Sequence, residues 1–174
     1  LFYIVHLFFT QDVFTVKHLS PAWFIPIVGT VIIPIGKPSF IGQDVLIFYF
    51  SIGMIMWLSL FIIVLNRIIF HEHLPQKLVP TLFILFAPPA IGFISYMKIM
   101  QSFDFFAKLL YMFSLFLFVV VLLQVSTFRK IPFFLSWWAY TFPLAAISIA
   151  SILYWHLSQV FFYLVLSVIF IVLL

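Results

Sequence analysis

Apolar residues run through this chain in long stretches separated by short polar ones, and the pattern places helical spans at 1–10, 22–36, 45–66, 78–97, 105–127, 133–154 and 157–174, the first incomplete. Stretches of roughly 20 apolar residues match a helix crossing a hydrocarbon core about 30 Å thick. The short alternating segments of a membrane β-barrel are absent from the pattern. The polar connections are short, so sequence neighbours pair as antiparallel hairpins. Every second span carries proline: Pro26 and Pro34 in one, Pro88 and Pro89 in another, Pro143 in a third. The long spans between them carry none. A proline in mid-helix leaves a carbonyl without its usual donor, and lipid offers no substitute. The pattern therefore predicts an all-α integral membrane fold of repeated helical hairpins, with kinked helices inside, around a pore, and continuous helices outside.

The kinked spans resemble one another. Trp23-Phe24-Ile25-Pro26-Ile27-Val28-Gly29, Phe86-Ala87-Pro88-Pro89-Ala90-Ile91-Gly92 and Tyr140-Thr141-Phe142-Pro143-Leu144-Ala145-Ala146 each place a small residue three positions after a proline. Pro26, Pro89 and Pro143 lie 63 and 54 residues apart, about one hairpin each. The proline opens a kink, and Gly29, Gly92 or Ala146 one turn on is expected to let a neighbouring backbone approach. Ser20-Pro21 and Ile131-Pro132 suit helix starts. Pro75 and Pro80 are expected to bracket a loop, and Gly36, Pro38 and Gly42 to mark a turn.

Composition narrows the class. Hydrophobic residues make up 67% of the chain and charged ones 7%, where a soluble domain carries about a quarter charged. Cysteine is absent, which excludes disulfides and thiolate chemistry from this chain. The net charge of +4 is spread out and forms no basic run, so nucleic acid is not an expected partner. With alternate loops on opposite sides, Lys17, Arg67, Lys77, Arg129 and Lys130 face Lys37, Lys98 and Lys108. The positive-inside rule then puts the first set, and the C-terminal end, in the cytoplasm. The chain opens at Leu1 and stops at Leu174 within apolar runs, and it reads as the C-terminal half or more of a longer protein.

Candidate chemistry is sparse. Asp12, Asp44, Glu72 and Asp104 fall in loops or at span ends, and no span centre holds an ionisable residue. Coupled pumps and cation channels usually keep one at membrane depth. A passage without fixed charge would rely on backbone dipoles at Pro26, Pro88, Pro89 and Pro143, and on small polar groups. Ser136, Thr141, Ser148 and Ser151 form the densest polar set in any span. They either bond helix carbonyls or, for Thr141 and Ser148 in particular, line a pore. No neighbouring base activates them as nucleophiles. His71-Glu72-His73 has metal-ligand types but lacks a third His or Cys, so neither a metal nor a cofactor is expected. His6, His18 and His156 are isolated and suit membrane interfaces. Phe142, beside the proline of the most polar kinked span, suits a hydrophobic plug.

Three runs resemble the tellurite-resistance/dicarboxylate transporter family, which includes bacterial TehA and the plant guard-cell slow anion channels. They are Ser136-Trp137-Trp138-Ala139-Tyr140-Thr141-Phe142-Pro143-Leu144, Asn66-Arg67-Ile68-Ile69-Phe70-His71 with Leu74-Pro75, and Pro80-Thr81-Leu82-Phe83-Ile84 through Ala87-Pro88-Pro89-Ala90. The resemblance implies a ten-helix protomer of five hairpins, with inner helices lining a pore in each subunit of a homotrimer. This chain would be a single transmembrane domain over 1–174, from the end of the fourth helix through the tenth, with its kinked spans as inner helices five, seven and nine. The family's gating phenylalanine lies on the ninth helix. Phe142 matches by motif position, with Phe133 and Phe134 as alternatives. The implied function is permeation of small anions across a bilayer, in the bacterial inner membrane. A coupled carrier or exporter of dicarboxylate, sulfite or tellurite-related anions is the second possibility. A membrane enzyme or scaffold would need chemistry at the His71–His73 loop.

Overall fold

The computed structural model describes Tyr3, His6, residues 19–36 and residues 41–174. The expected partial span at 1–10, Tyr3 and His6 apart, lies outside the described residues, as do Asp12, Lys17, His18, Lys37 and Pro38. Among the described residues there are helices and loops and no strand. Eight α-helical segments follow in order: α1 (Ile25–Val31), α2 (Ile33–Gly36), α3 (Gln43–Phe70), α4 (Ala87–Met100), α5 (Phe105–Leu122), α6 (Val125–Phe128), α7 (Thr141–Ser158) and α8 (Phe161–Leu173). Three 3-10 runs, Pro21–Phe24, Gln76–Phe86 and Leu135–Tyr140, lead directly into α1, α4 and α7. Among the described residues, four spans are long and apolar enough to cross a membrane: Gln43–Phe70, Gln76–Met100, Phe105–Leu122 and Leu135–Ser158. This is an integral membrane protein.

The proline spans repeat in structure as they do in sequence, but the break differs from a mid-helix kink. Each span opens as a 3-10 helix and changes to an α-helix at its proline. Pro26 is the second residue of α1, Pro88 and Pro89 the second and third of α4, and Pro143 the third of α7. First-turn N–H groups have no partner within an α-helix, so a residue lacking one is tolerated there. At each junction the first α residue donates its N–H three residues back: Ile25 to Ala22, Ala87 to Ile84 and Thr141 to Trp138. The change of helix type thus keeps paired the Ala22 and Ile84 carbonyls, which lie four residues before Pro26 and Pro88 and would otherwise lose their donors to those prolines. Pro80 lies inside its 3-10 run, where a loop was expected, and Pro75 caps that run. The last proline span starts at Leu135 and not at Pro132, whose carbonyl accepts from Trp137 Nε1 at 3.2 Å.

Pro34 makes a second break. Without its N–H the helix tightens, Ile35 N–H turns to the Ile32 carbonyl at 3.0 Å, and the Val31 carbonyl loses its regular donor. Ser95 Oγ of α4 donates to that Val31 carbonyl. On the other side of α4, Ser114 Oγ of α5 donates to the Phe86 carbonyl at 2.8 Å, next to the proline pair. Hydroxyls on neighbouring helices therefore serve carbonyls beside the prolines, as lipid cannot.

Packing gives the layers. α4 sits against α1 and α2 on one side and α7 on the other, forming an arc of three inner units. α3 backs α1, α2 and α4; α5 backs α4 and α7; α8 runs along α7. Burial identifies the centre, since 83% of the apolar window in Gln76–Met100 is enclosed against 28% in Gln43–Phe70 and 39% in Phe105–Leu122. The Leu135–Ser158 span is also only 39% enclosed, and it leaves Phe142 and Ile149 open on one face. Behind that face, Tyr111, Tyr154 and Tyr163 join α5, α7 and α8, with the Tyr111 and Tyr154 rings stacked at 4.3 Å. The Tyr111 hydroxyl lies 2.9 Å from Ser151 Oγ.

Close helix approach occurs where it was not expected. A Cβ at Gly29 or Gly36 would meet nothing within 4 Å, and one at Gly92 would meet only the Met54 and Leu110 side chains. Gly53 of α3 is the tight contact: a Cβ there would lie 2.4 Å from Val31 Cγ2 and 3.3 Å from the Val31 backbone nitrogen. α3 also runs past the expected end at residue 66, which places Arg67 in its last turn and buries it. The inner helices α4 and α7 both end on a left-handed glutamine, Gln101 at φ 53° and Gln159 at φ 57°. Each donates its N–H four residues back, to Met97 or Trp155.

Candidate functional site: an apolar groove along the inner helices

Two cavities among the described residues lie along the concave side of the arc. The first, about 310 Å³, lies between α1 and α7 at the level of the 3-10 junctions and is walled by Ile25, Val28, Gly29 and Ile32 on one side. Ala139, Phe142 and Pro143 face them, and Ile84 of the central span forms the back. The second, about 200 Å³, continues past the Pro34 break, where Ile32 and Ile35 face Phe142, Ala145, Ala146 and Ile149, with Ile91 and Ile94 of α4 behind. Two residues belong to both walls, Ile32 and Phe142. Phe142 is the second residue of α7, one before the proline, and is 43% exposed.

No charged residue lines either cavity. Both have room for several waters, and their apolar walls offer those waters no partners. Among the described residues no three of His, Asp or Glu come together as a metal site, and His71, Glu72 and His73 stand exposed after α3.

The candidates named from sequence divide. Gly29, Phe142, Pro143 and Ala146 line the groove. Pro26, Pro88, Pro89 and Gly92 are outside its lining; the last three are buried in α4 and act on its shape. Thr141 bonds the Trp138 carbonyl at 2.8 Å, and Ser148, buried, bonds the Leu144 carbonyl at 2.6 Å. Neither is in the lining. Ser151 bonds Ile147, and Ser136 Oγ is enclosed without a partner. Phe133 is 74% exposed outside the groove, and Phe134 caps the 3-10 run, so neither alternative to Phe142 reaches it. Sequence reasoning missed the isoleucine walls. Ile25, Val28, Ile32 and Ile35 do recur at helical spacing, but a lipid-facing stripe has the same spacing.

Comparison with known proteins places the sequence in a family. The family model described as voltage-dependent anion channel (SLAC1) matches residues 1–174. The S-type anion channel SLAH2 of Arabidopsis thaliana is 41% identical over 108 residues, covering 62% of this chain and 21% of that protein. An archaeal relative, the uncharacterized transporter MJ0576 of Methanocaldococcus jannaschii, is 30% identical over 160 residues, covering 79% of this chain and 46% of that protein. The guard cell S-type anion channel SLAC1 of Arabidopsis thaliana is 27% identical over 138 residues, 79% of this chain and 25% of its own length. The chain thus spans less than half the length of each of these relatives. With its proline-started inner helices, its outer helices behind them and a family match along its whole length, the chain belongs to the SLAC1/TehA-like anion channel family.

Proposed function

We propose that this chain supplies three of the inner walls of a pore for small anions, with Phe142 as the plug. One observation carries the proposal: Phe142 lines both cavities of an uncharged groove, at the level where one passes into the other. A ring there closes the path by excluding water, and displacing it lets a hydrated anion pass. Relatives named as anion channels supply the permeant class. Gly29, Pro143 and Ala146 contribute smooth wall, while Pro26, Pro88 and Pro89 set where each inner helix changes type. Thr141 and Ser148 lie outside the groove lining, with their hydroxyls donating to their own helices. The remaining walls come from parts of the full-length protein beyond these 174 residues, which assembles as a homotrimer, with its C-terminal end in the cytoplasm.

The test uses the full-length protein in a planar bilayer. Phe142→Ala is expected to raise resting chloride conductance at least about tenfold over the parent, since the plug is the largest side chain at the constriction. Unchanged conductance would remove Phe142 from the gate. The archaeal relatives are named uncharacterized transporters, a description that admits a coupled carrier as the second reading. Accumulation of dicarboxylate or sulfite against its gradient, driven by protons in vesicles, would select it over the channel.

A further inference from the structure

We infer that the constriction has a second lip, Ile32, facing Phe142 across the groove; the inference rests on the reading of Phe142 as a plug. Ile32 is the one residue besides Phe142 that borders both cavities, and it is 37% exposed. Its position follows from the chain around it. Ile32 falls in the break between α1 and α2, where Pro34 removes an N–H and Ile35 bonds Ile32 in place of Val31. The preceding residue, Val31, is fully buried and held from two directions. Ser95 Oγ of α4 binds its carbonyl, and Gly53 of α3 receives its side chain in a notch with no space for a Cβ. With Val31 fixed, the next side chain has no freedom to withdraw, and it projects into the groove opposite α7. A β-branched side chain in one favoured rotamer makes a stiff lip. Ile32 therefore sets the width left when the phenylalanine moves, and so the size of anion admitted.

Currents through the full-length protein in planar bilayers test this with Phe142→Ala as the reference. Adding Ile32→Ala to that background is expected to raise chloride conductance further, at least about twofold, and to let larger anions such as gluconate carry measurable current. Adding Ile32→Phe instead is expected to bring conductance back toward the parent, which shows that the position, not a general loosening, controls the path. If both double variants conduct like Phe142→Ala alone, Ile32 is not a lip, and the plug reading stands without it. If Phe142→Ala itself conducts no more than the parent, the plug reading falls and the second lip falls with it.

Discussion

Two glycines that look alike in an apolar sequence are expected to respond in opposite directions to the same substitution. At Gly53 a methyl group would lie 2.4 Å from Val31 Cγ2, 2.7 Å from Thr30 Oγ1 and 3.3 Å from the Val31 nitrogen. Ordinary contact begins near 3.4 Å, so the valine must retreat by about 1 Å. It has little means of doing so. Val31 is β-branched and its χ1 is confined in a helix, its carbonyl is tied to Ser95, and Thr30 Oγ1 is tied to Ile27 at 2.7 Å. Overpacking of this kind costs about 1–3 kcal/mol, against which alanine recovers up to about 1 kcal/mol of helix propensity. Gly53→Ala should therefore destabilise by about 1–2 kcal/mol. At Gly29 nothing lies within 4 Å of the added methyl, so only the propensity gain remains, about 0.5–1 kcal/mol in favour of folding. Thermal unfolding of the detergent-solubilised full-length protein measures both. About 2–4 °C per kcal/mol holds for 150–250 residues and less for the longer full-length protein, so Gly53→Ala should lower the midpoint by up to about 8 °C, and Gly29→Ala should leave it level or raise it. A Gly53→Ala variant as stable as the parent would show that α1 and α3 do not meet as described.

The left-handed helix ends give a second stability prediction. Gln101→Gly and Gln159→Gly should each stabilise by about 0.5–1 kcal/mol, because glycine adopts positive φ without a Cβ clash, and paired thermal scans would show the gain as additive. Asp104 gives a pH dependence at the start of α5. Its carboxylate accepts from the Tyr96 hydroxyl at 2.6 Å and from Ala107 N–H at 3.0 Å, and the tyrosine bond, then the backbone bond, hold its pKa below the usual value of 3.8. A lowered folded pKa means that this contribution is complete above about pH 4 and is lost as pH falls through the folded value. The protection of amides in the first turn of α5, measured against their intrinsic exchange rates, should fall below that point, and Asp104→Asn should abolish the pH step; a step that persists in the variant would assign it elsewhere.

The membrane class, the hairpin repeat and the inner role of the proline spans were legible because each rests on local covalent facts. Apolar length dictates a span, and a residue without an N–H must sit where no donor is missed. Phe142 was singled out by the family motif that surrounds it, and the structure places it in the lining of both cavities. Boundaries were less legible at the C-terminal ends of helices. The sequence suggested an end near 154, yet α7 runs to Ser158, because the stop is a left-handed glutamine and not the glycine that usually signals one. Arg67 was likewise placed beyond the helix that buries it.

By itself the sequence determined that the chain must be helical, must lie in lipid and must change its helical pairing at Pro26, Pro88, Pro89 and Pro143, since backbone groups in hydrocarbon have no other partner. Tertiary structure alone decided how that change is made and what each face meets. The prolines sit at the switch from 3-10 to α-helix, where the first α residue bonds three residues back, and Ser95 and Ser114 reach from adjacent helices to the carbonyls of Val31, at the Pro34 break, and Phe86, beside Pro88. Whether a small residue touches a neighbour, as Gly53 does, or opens onto a groove, as Gly29 does, depends on the placement of a helix distant in sequence. The isoleucines opposite Phe142 become walls rather than lipid-facing surface for the same reason: identical side chains at identical spacing acquire different roles only when the helices are assembled.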